Sequence, residues 1–263
     1  MLPSISIGPF RFWTYGIFVA LALLAASSVL RRDSRVRELR VEPYYLMTMV
    51  ALAGVVGAKL WHCLEHPVLL WAHPGTLFHS DGFAFAGGLA AGAITLACLA
   101  HSHRIPMLRM MDIVSAPATI GYAIGRIGCL VSGDGCYGIP TRLPWGMTFP
   151  HGFVPTTQHV HPTPIYETIV ALGVFYYLWS LRRRGPDGLV FSVYLILTGC
   201  SRFLVEFIRI NPRVLFGLSN AQLASMVLVL LGCFLYRTVR RTHNARQPLL
   251  AQPRAVSESI GDD

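Results

Sequence analysis

Charge is scarce in this 263-residue chain: Asp, Glu, Lys and Arg make up only 13% of it, against roughly a quarter in soluble domains. That shortage, with 53% hydrophobic residues gathered in long uncharged blocks, excludes an ordinary soluble domain. About 20 consecutive apolar residues span the hydrocarbon layer of a bilayer. Other absences narrow the function. No glycine-rich loop ends in the lysine of a nucleotide-binding P-loop. No Cys-x-x-Cys or His-Glu-x-x-His spacing marks a zinc centre, and neither metal nor cofactor is expected. No internal repeat argues for a transporter built from inverted halves. No positive segment precedes the first apolar run, which follows Met1-Leu2-Pro3-Ser4. A cleaved signal has the reverse order, so this run reads as a retained span. The net charge of +9 comes from arginines clustered between apolar blocks. They do not share one helical face with aromatics, so nucleic acid is not a partner. Such clusters orient helices and meet lipid headgroups.

What is present is a series of seven apolar blocks. They run over about 12–30, 44–61, 83–100, 110–127, 164–181, 189–208 and 218–236. The expected fold is an all-α integral membrane protein with about seven transmembrane helices, residues 1–236, and a disordered cytoplasmic tail, 237–263. The fourth block contains Asp112, Pro117 and Arg126, which predicts a polar-lined or broken helix inside the bundle. In the third block, Gly87-Gly88 and Gly92 predict tight packing. If the arginine-rich segment 31–42 is cytoplasmic, 15 of the 22 basic residues fall on that side. The bias places the N-terminus outside and the C-terminus inside. The polar loop 62–81, the glycine- and proline-rich stretch 128–162 and the segment 211–218 then share the outer face.

Some charges within or beside the spans are expensive. A charge at the bilayer centre costs roughly 2.5–3.5 kcal/mol on insertion scales. Arg126, Glu167, Arg202, Glu206 and Arg209 carry that cost, and spacings of four and three put the last three on one helical face. Two readings stand: an internal ion-pair network that fastens helices, or a cationic pocket for a phosphate-bearing lipid. Three arginines against two carboxylates leave a positive excess, and guanidinium donors match phosphate oxygens. Around Arg126, the segment 125–138 holds five glycines, which allow sharp turns and close backbone approach to a ligand.

These residues resemble the prolipoprotein diacylglyceryl transferase family of bacterial inner-membrane enzymes. The family signature Gly-Arg-x-Gly-Asn-Phe-x-Asn-x-Glu is matched by Gly125, Arg126 and Gly128, with Asp134 at the glutamate. His161-Pro162-Thr163-Pro164-Ile165-Tyr166-Glu167 is similar to His-Pro-x-x-x-Tyr-Glu. Arg202-Phe203-Leu204-Val205-Glu206-Phe207-Ile208-Arg209 is similar to Arg-Phe-x-x-Glu-x-x-Arg. The resemblance implies a multi-pass, monomeric enzyme whose site opens to the periplasmic or extracellular side. It implies transfer of the diacylglyceryl group of phosphatidylglycerol to a prolipoprotein cysteine, with glycerol 1-phosphate leaving. Arg126 and Arg202 would hold the phosphate, with Asp134, Glu206 and His161 also catalytic. Gly87, Gly88, Gly125, Gly128, Cys129, Ser132, Gly138, Tyr166, Glu167 and Arg209 would line the substrate. The partners are an anionic phospholipid and a secreted prolipoprotein or another membrane acceptor.

The chain departs from the family where the acceptor would be activated. Ala86 stands at the family histidine, Cys129 and Ser132 at two asparagines, and Thr198 at a tyrosine. Either another base such as His151, His159 or His161 serves, or the acceptor differs. A non-catalytic lipid-binding or scaffold protein of the same fold is the alternative function. Cys129 and Cys136 admit four readings: a disulfide, two packed thiols, a nucleophile or a metal site. His161 either caps the fifth helix or serves the site.

Overall fold

The computed structural model describes residues 2–8, 10–36, 41–66, 84–183 and 185–251. The segment 67–83, with His73 and His79, lies outside them, as do Arg37, Arg40, Arg184 and residues 252–263.

Each apolar block becomes a helix. In chain order they are α1 (Thr14–Val36), α2 (Pro43–Glu65), α3 (Phe85–Ser102), α4 (Met107–Ser132), α5 (Thr163–Leu181), α6 (Leu189–Val205) and α7 (Asn220–Ala251). Six are long and apolar enough to cross a membrane, and α3 offers a shorter apolar stretch over Ala86–Ser102. The outward surface suits lipid: Leu24, Val55, Leu89, Ile94, Ile169, Leu204, Leu230 and Phe234 are all exposed. Two small antiparallel pairs join the helices. One is β1 (Ser4–Ile7) with β2 (Phe10–Trp13), the other β3 (Met147–Phe149) with β4 (Thr156–Val160). The second pair gives order to part of a stretch that composition alone describes as irregular.

Local chemistry explains several helix ends. The Glu42 carboxylate accepts the Tyr45 N–H at 2.6 Å, and Pro43 opens α2. The first satisfies an orphan N–H of the opening turn, and the second, having no N–H, leaves one fewer to satisfy. At the other end of α4, Gly133 takes the left-handed conformation and donates its N–H to the Cys129 carbonyl, the usual glycine stop. Helix α6 is capped from a distance. The buried Asp112 of α4 accepts the N–H groups of Gly188 at 2.8 Å and Phe191 at 2.7 Å. Its charge therefore meets the positive end of a helix dipole.

Of the two readings of the fourth block, α4 is the polar-lined one: it buries Asp112, Ser115 and Thr119 and is continuous through Pro117. Two expectations need correction. Helix α6 ends at Val205 and passes into a 3-10 turn, Glu206–Ile208, with Arg209 extended. Arg202, Glu206 and Arg209 therefore meet across a helix terminus, not along one regular face. Finally, α7 runs on to Ala251, so residues 237–251 are helical where a disordered tail is expected. A helix already nucleated by its apolar half extends cheaply, one hydrogen bond per residue fixed.

The core has two parts. Leu30, Val41, Leu46, Leu99, Ala100, Ile105, Met110 and Ile113 form one cluster among α1–α4. Ala116, Val174, Leu178 and Val190 form another among α4, α5 and α6. Helices α2 and α3 approach backbone to backbone. A Cβ on Gly87 would lie 2.2 Å from the Trp61 Cβ and 2.4 Å from the Gly57 carbonyl oxygen. Only glycine fits that crossing.

Candidate functional site

Glu167 projects from the second turn of α5 with its side chain 1% exposed. It is surrounded by cations. Arg126 of α4 lies 3.3 Å away through Nε, Arg202 of α6 at 3.5 Å through Nη1, and Arg209, beyond the 3-10 turn, at 3.5 Å through Nη1. Each arginine comes from a different position in the chain, and a single carboxylate gathers them. Glu206, fully buried, is the second anchor. It pairs with Arg202 at 2.9 Å and Arg209 at 3.9 Å. Its Oε1 also accepts from Asn211 at 2.6 Å and from the Ser219 hydroxyl at 2.8 Å. Removing one partner of a buried pair leaves an uncompensated charge, at a cost of about 3–5 kcal/mol.

The cluster has three guanidinium groups and two carboxylates, so one positive charge is left over. Arg202 is the most open member, with a side chain 28% exposed, against 17% for Arg126 and 11% for Arg209. Tyr122 of α4 touches both members of the Arg126–Glu167 pair. Its hydroxyl donates to Glu167 Oε1 at 2.8 Å, and its ring lies 4.8 Å from the Arg126 guanidinium carbon. That cation–π contact holds the arginine without neutralising it.

Backbone hydrogen bonds stitch the three motif segments together. Gly138 donates to the His161 carbonyl at 2.8 Å, His161 to Ile139 at 3.1 Å, and Ile139 to Ile208 at 2.8 Å. Gly138 must be glycine here, since a Cβ would stand 2.4 Å from the Ile208 carbonyl oxygen. The loop after α4 is thus wedged between the entry to α5 and the exit from α6.

With that geometry in place, comparison with known proteins is informative. The family model described as prolipoprotein diacylglyceryl transferase matches residues 3–238. The chain belongs to the prolipoprotein diacylglyceryl transferase family. It is 33% identical over 235 residues to a phosphatidylglycerol–prolipoprotein diacylglyceryl transferase of Clostridium tetani, covering 88% of this chain and 94% of that one. The similarly named protein of Geobacter sulfurreducens is 31% identical over 240 residues, covering 86% and 90%. That of Leptospira interrogans is 28% identical over 276 residues, covering 84% and 87%. Membership, with the apolar helices, makes the chain a multi-pass membrane protein.

The other family-motif positions take varied places. Gly125 faces open space, whereas Gly128 gives room to Phe18 of α1, whose Cβ a side chain would approach to 2.8 Å. Ser132 is buried and donates to the Cys129 carbonyl. His161 and Tyr166 pair with each other: His161 Nδ1 lies 3.3 Å from the Tyr166 hydroxyl, which accepts from Trp145 at 2.8 Å. Asp134 forms no ion pair with an arginine among the described residues. Its carboxylate accepts the Cys136 N–H at 3.1 Å and shares a small space with the Cys129 and Cys136 thiols. Both cysteines are free thiols. Arg126 Nη1 approaches the Cys136 sulfur to 3.6 Å. The Cys136 thiol is held down to about 7, chiefly by its hydrogen bond with Cys129; burial and Asp134 oppose this, and Arg126 assists it. Gly87 and Gly88 are occupied by their contact with α2, a packing reason that needs no ligand.

Sequence reasoning missed Tyr122, Asn211 and Ser219. Tyr122 stands four residues before Arg126, a spacing that places the two on one helical face, so its role was open to inference. Nothing local in the sequence points from Asn211 or Ser219 to Glu206.

Proposed function

We propose that this protein transfers the diacylglyceryl group of phosphatidylglycerol to the cysteine thiol of a secreted prolipoprotein. The reaction would occur at the outer face of the bacterial inner membrane, with the N-terminus outside and the C-terminus cytoplasmic. The observation that carries this reading is the convergence of Arg126, Arg202 and Arg209 on Glu167, with one positive charge in excess. A phosphodiester carries one negative charge, which that excess balances. As the carbon–oxygen bond to the glyceryl group breaks, charge grows on the departing phosphate. Donors already aimed there lower the barrier without reorganising. Glu167 and Glu206 are positioning residues, since they hold the guanidinium forks. The names of the relatives give the donor and acceptor classes. A monomer suffices, because all five charged groups come from one chain.

The test uses purified protein in phosphatidylglycerol nanodiscs with a cysteine-bearing lipoprotein peptide. Glycerol phosphate release and the peptide's mass gain are read together. Arg126→Ala is expected to lower release by at least about 100-fold, the scale of losing one transition-state donor, while the protein remains inserted and monodisperse. Full activity in that variant would overturn the proposal. Tight lipid binding without product in the unaltered protein would favour a non-catalytic lipid-binding role, the reading to which Ala86 lends weight.

A further inference from the structure

The end of α4 and the turn that follows place three metal-ligating side chains together beside Arg126. The Cys129 and Cys136 sulfurs and an Asp134 carboxylate oxygen all lie within 4.8 Å of one another. The backbone builds this proximity. Gly133 and Gly135 both take positive φ, +63° and +85°, which folds the chain back within a few residues. A Cβ on Gly135 would press to 3.1 Å from Val154. The Asp134 carboxylate is turned inward by the Cys136 N–H. Cys129 is buried, and Asp134 and Cys136 are half-buried, so the three donors converge at the edge of the bundle.

Two thiolates and a carboxylate suit zinc, which binds sulfur at about 2.3 Å and carboxylate oxygen at about 2.0–2.2 Å in tetrahedral geometry. Tetrahedral ligands at those lengths stand roughly 3.5–3.8 Å apart, so donors already within 4.8 Å of one another need close by no more than about an ångström around an ion. Three protein ligands leave a fourth position open, as in catalytic zinc centres. The charges suit the surroundings as well. Zinc with two thiolates and one carboxylate carries one net negative charge, and the Arg126 guanidinium stands 3.6 Å from the Cys136 sulfur.

From this geometry we infer that Cys129, Asp134 and Cys136 bind a zinc ion whose open position takes the thiol of the acceptor. The inference rests on the lipid-transfer reading and supplies what Ala86 cannot. A thiol that coordinates zinc is deprotonated outright, so no side-chain base is required, and its proton passes to solvent. The bound sulfur donates its electron pair to the glyceryl carbon, forming the carbon–sulfur bond. The carbon–oxygen bond to phosphate breaks, and its electron pair leaves with glycerol phosphate. Arg126 lies against both the thiol site and Glu167, so it would face the phosphate and the attacking sulfur together.

Cobalt(II) reports on such a site through its sulfur-to-metal charge-transfer bands. Reduced, chelator-stripped full-length protein is titrated with cobalt. One equivalent is expected to give tetrahedral and thiolate bands. These should vanish in the Cys129→Ser/Cys136→Ser double variant and persist in His62→Ala/His66→Ala, which removes a separate exposed donor cluster on α2. Adding the cysteine peptide is expected to raise the thiolate band by about half, as two sulfur ligands become three around a four-coordinate metal. A serine peptide is expected to leave it unchanged. Absence of the cysteine-dependent bands, or a Cys129–Cys136 disulfide in the protein as isolated, would overturn the metal site. A thiolate band that ignores the peptide would overturn thiol activation. Stripped protein that releases glycerol phosphate at the full rate defeats the zinc inference and leaves lipid transfer standing. Metal-loaded protein that coordinates the peptide yet releases none defeats lipid transfer while the metal site survives.

Discussion

Two helix contacts in this molecule solve the same problem by opposite means. Helices α2 and α3 meet through bare backbone, with Gly57 and Gly87 so close that no side chain fits between them. Helices α4, α5 and α6 meet through Arg126, Glu167 and Arg202, groups that are costly to hold in a membrane. Close van der Waals packing is sufficient to join helices in lipid, where no hydrophobic drive separates one helix from another. The first contact shows that this protein uses that route. The charged contact is the costlier of the two, and the proposed lipid-binding role would account for that expense. The difference also separates two kinds of glycine that look alike in sequence. Gly87 serves packing, whereas Gly138 lets the loop after α4 reach the exit of α6.

The comparison can be broken at either contact. Gly87→Val should have the largest effect on folding. Overpacking costs about 1–3 kcal/mol in relaxable cores, occasionally more, and here the obstacle is backbone. We expect loss of most monodisperse protein on size-exclusion chromatography, with the folded remainder turning over normally per molecule. A folded remainder with lowered turnover would mean that α3 belongs to the site. Glu167→Gln should affect both properties. It leaves three guanidinium groups with one carboxylate, which should cost about 3 kcal/mol of stability, seen as a lower melting temperature. Glycerol phosphate release should fall along with it. Undiminished release would show that Glu167 only fastens the helices. Asp112→Asn should cost less, about 1–2 kcal/mol, because it removes a charged cap at α6 and keeps an acceptor. Thermal melting should register that loss while transfer is retained. Gly125→Ala should be nearly silent in both assays, since its Cβ enters open space. A marked loss of transfer there would reveal a ligand pressed against the α4 backbone.

Much of this architecture was legible from hydropathy. All seven blocks became helices, with ends displaced by a few residues except at α7. Arg126, Glu167, Arg202, Glu206 and Arg209 were conspicuous because charges in apolar surroundings need a reason, and the structure brings all five together. What escaped was long-range or conformational. Asp112, Pro117 and Arg126 predict a polar-lined or broken helix; the structure has the polar-lined one, and its Asp112 caps α6 across 76 residues. Family resemblance places Gly87 and Gly88 at the substrate, while the glycines of the third block by themselves predict the tight packing that the structure shows. Asp134 was grouped with the arginines by its place in the motif; its partners, Cys136 and Cys129, lie within five residues of it in the chain.

The stitching of Gly138 and Ile139 to His161 and Ile208 bears on how the chain tolerates change. The excursion from 141 to 159 is also held at its tip, where Phe153 donates to the Ser132 carbonyl at 3.0 Å and Val154 to that of Gly133 at 2.8 Å. Both of its ends and its tip are therefore tied to the segment that follows Arg126. A single residue added between Arg126 and Gly138 would push the whole seam out of register.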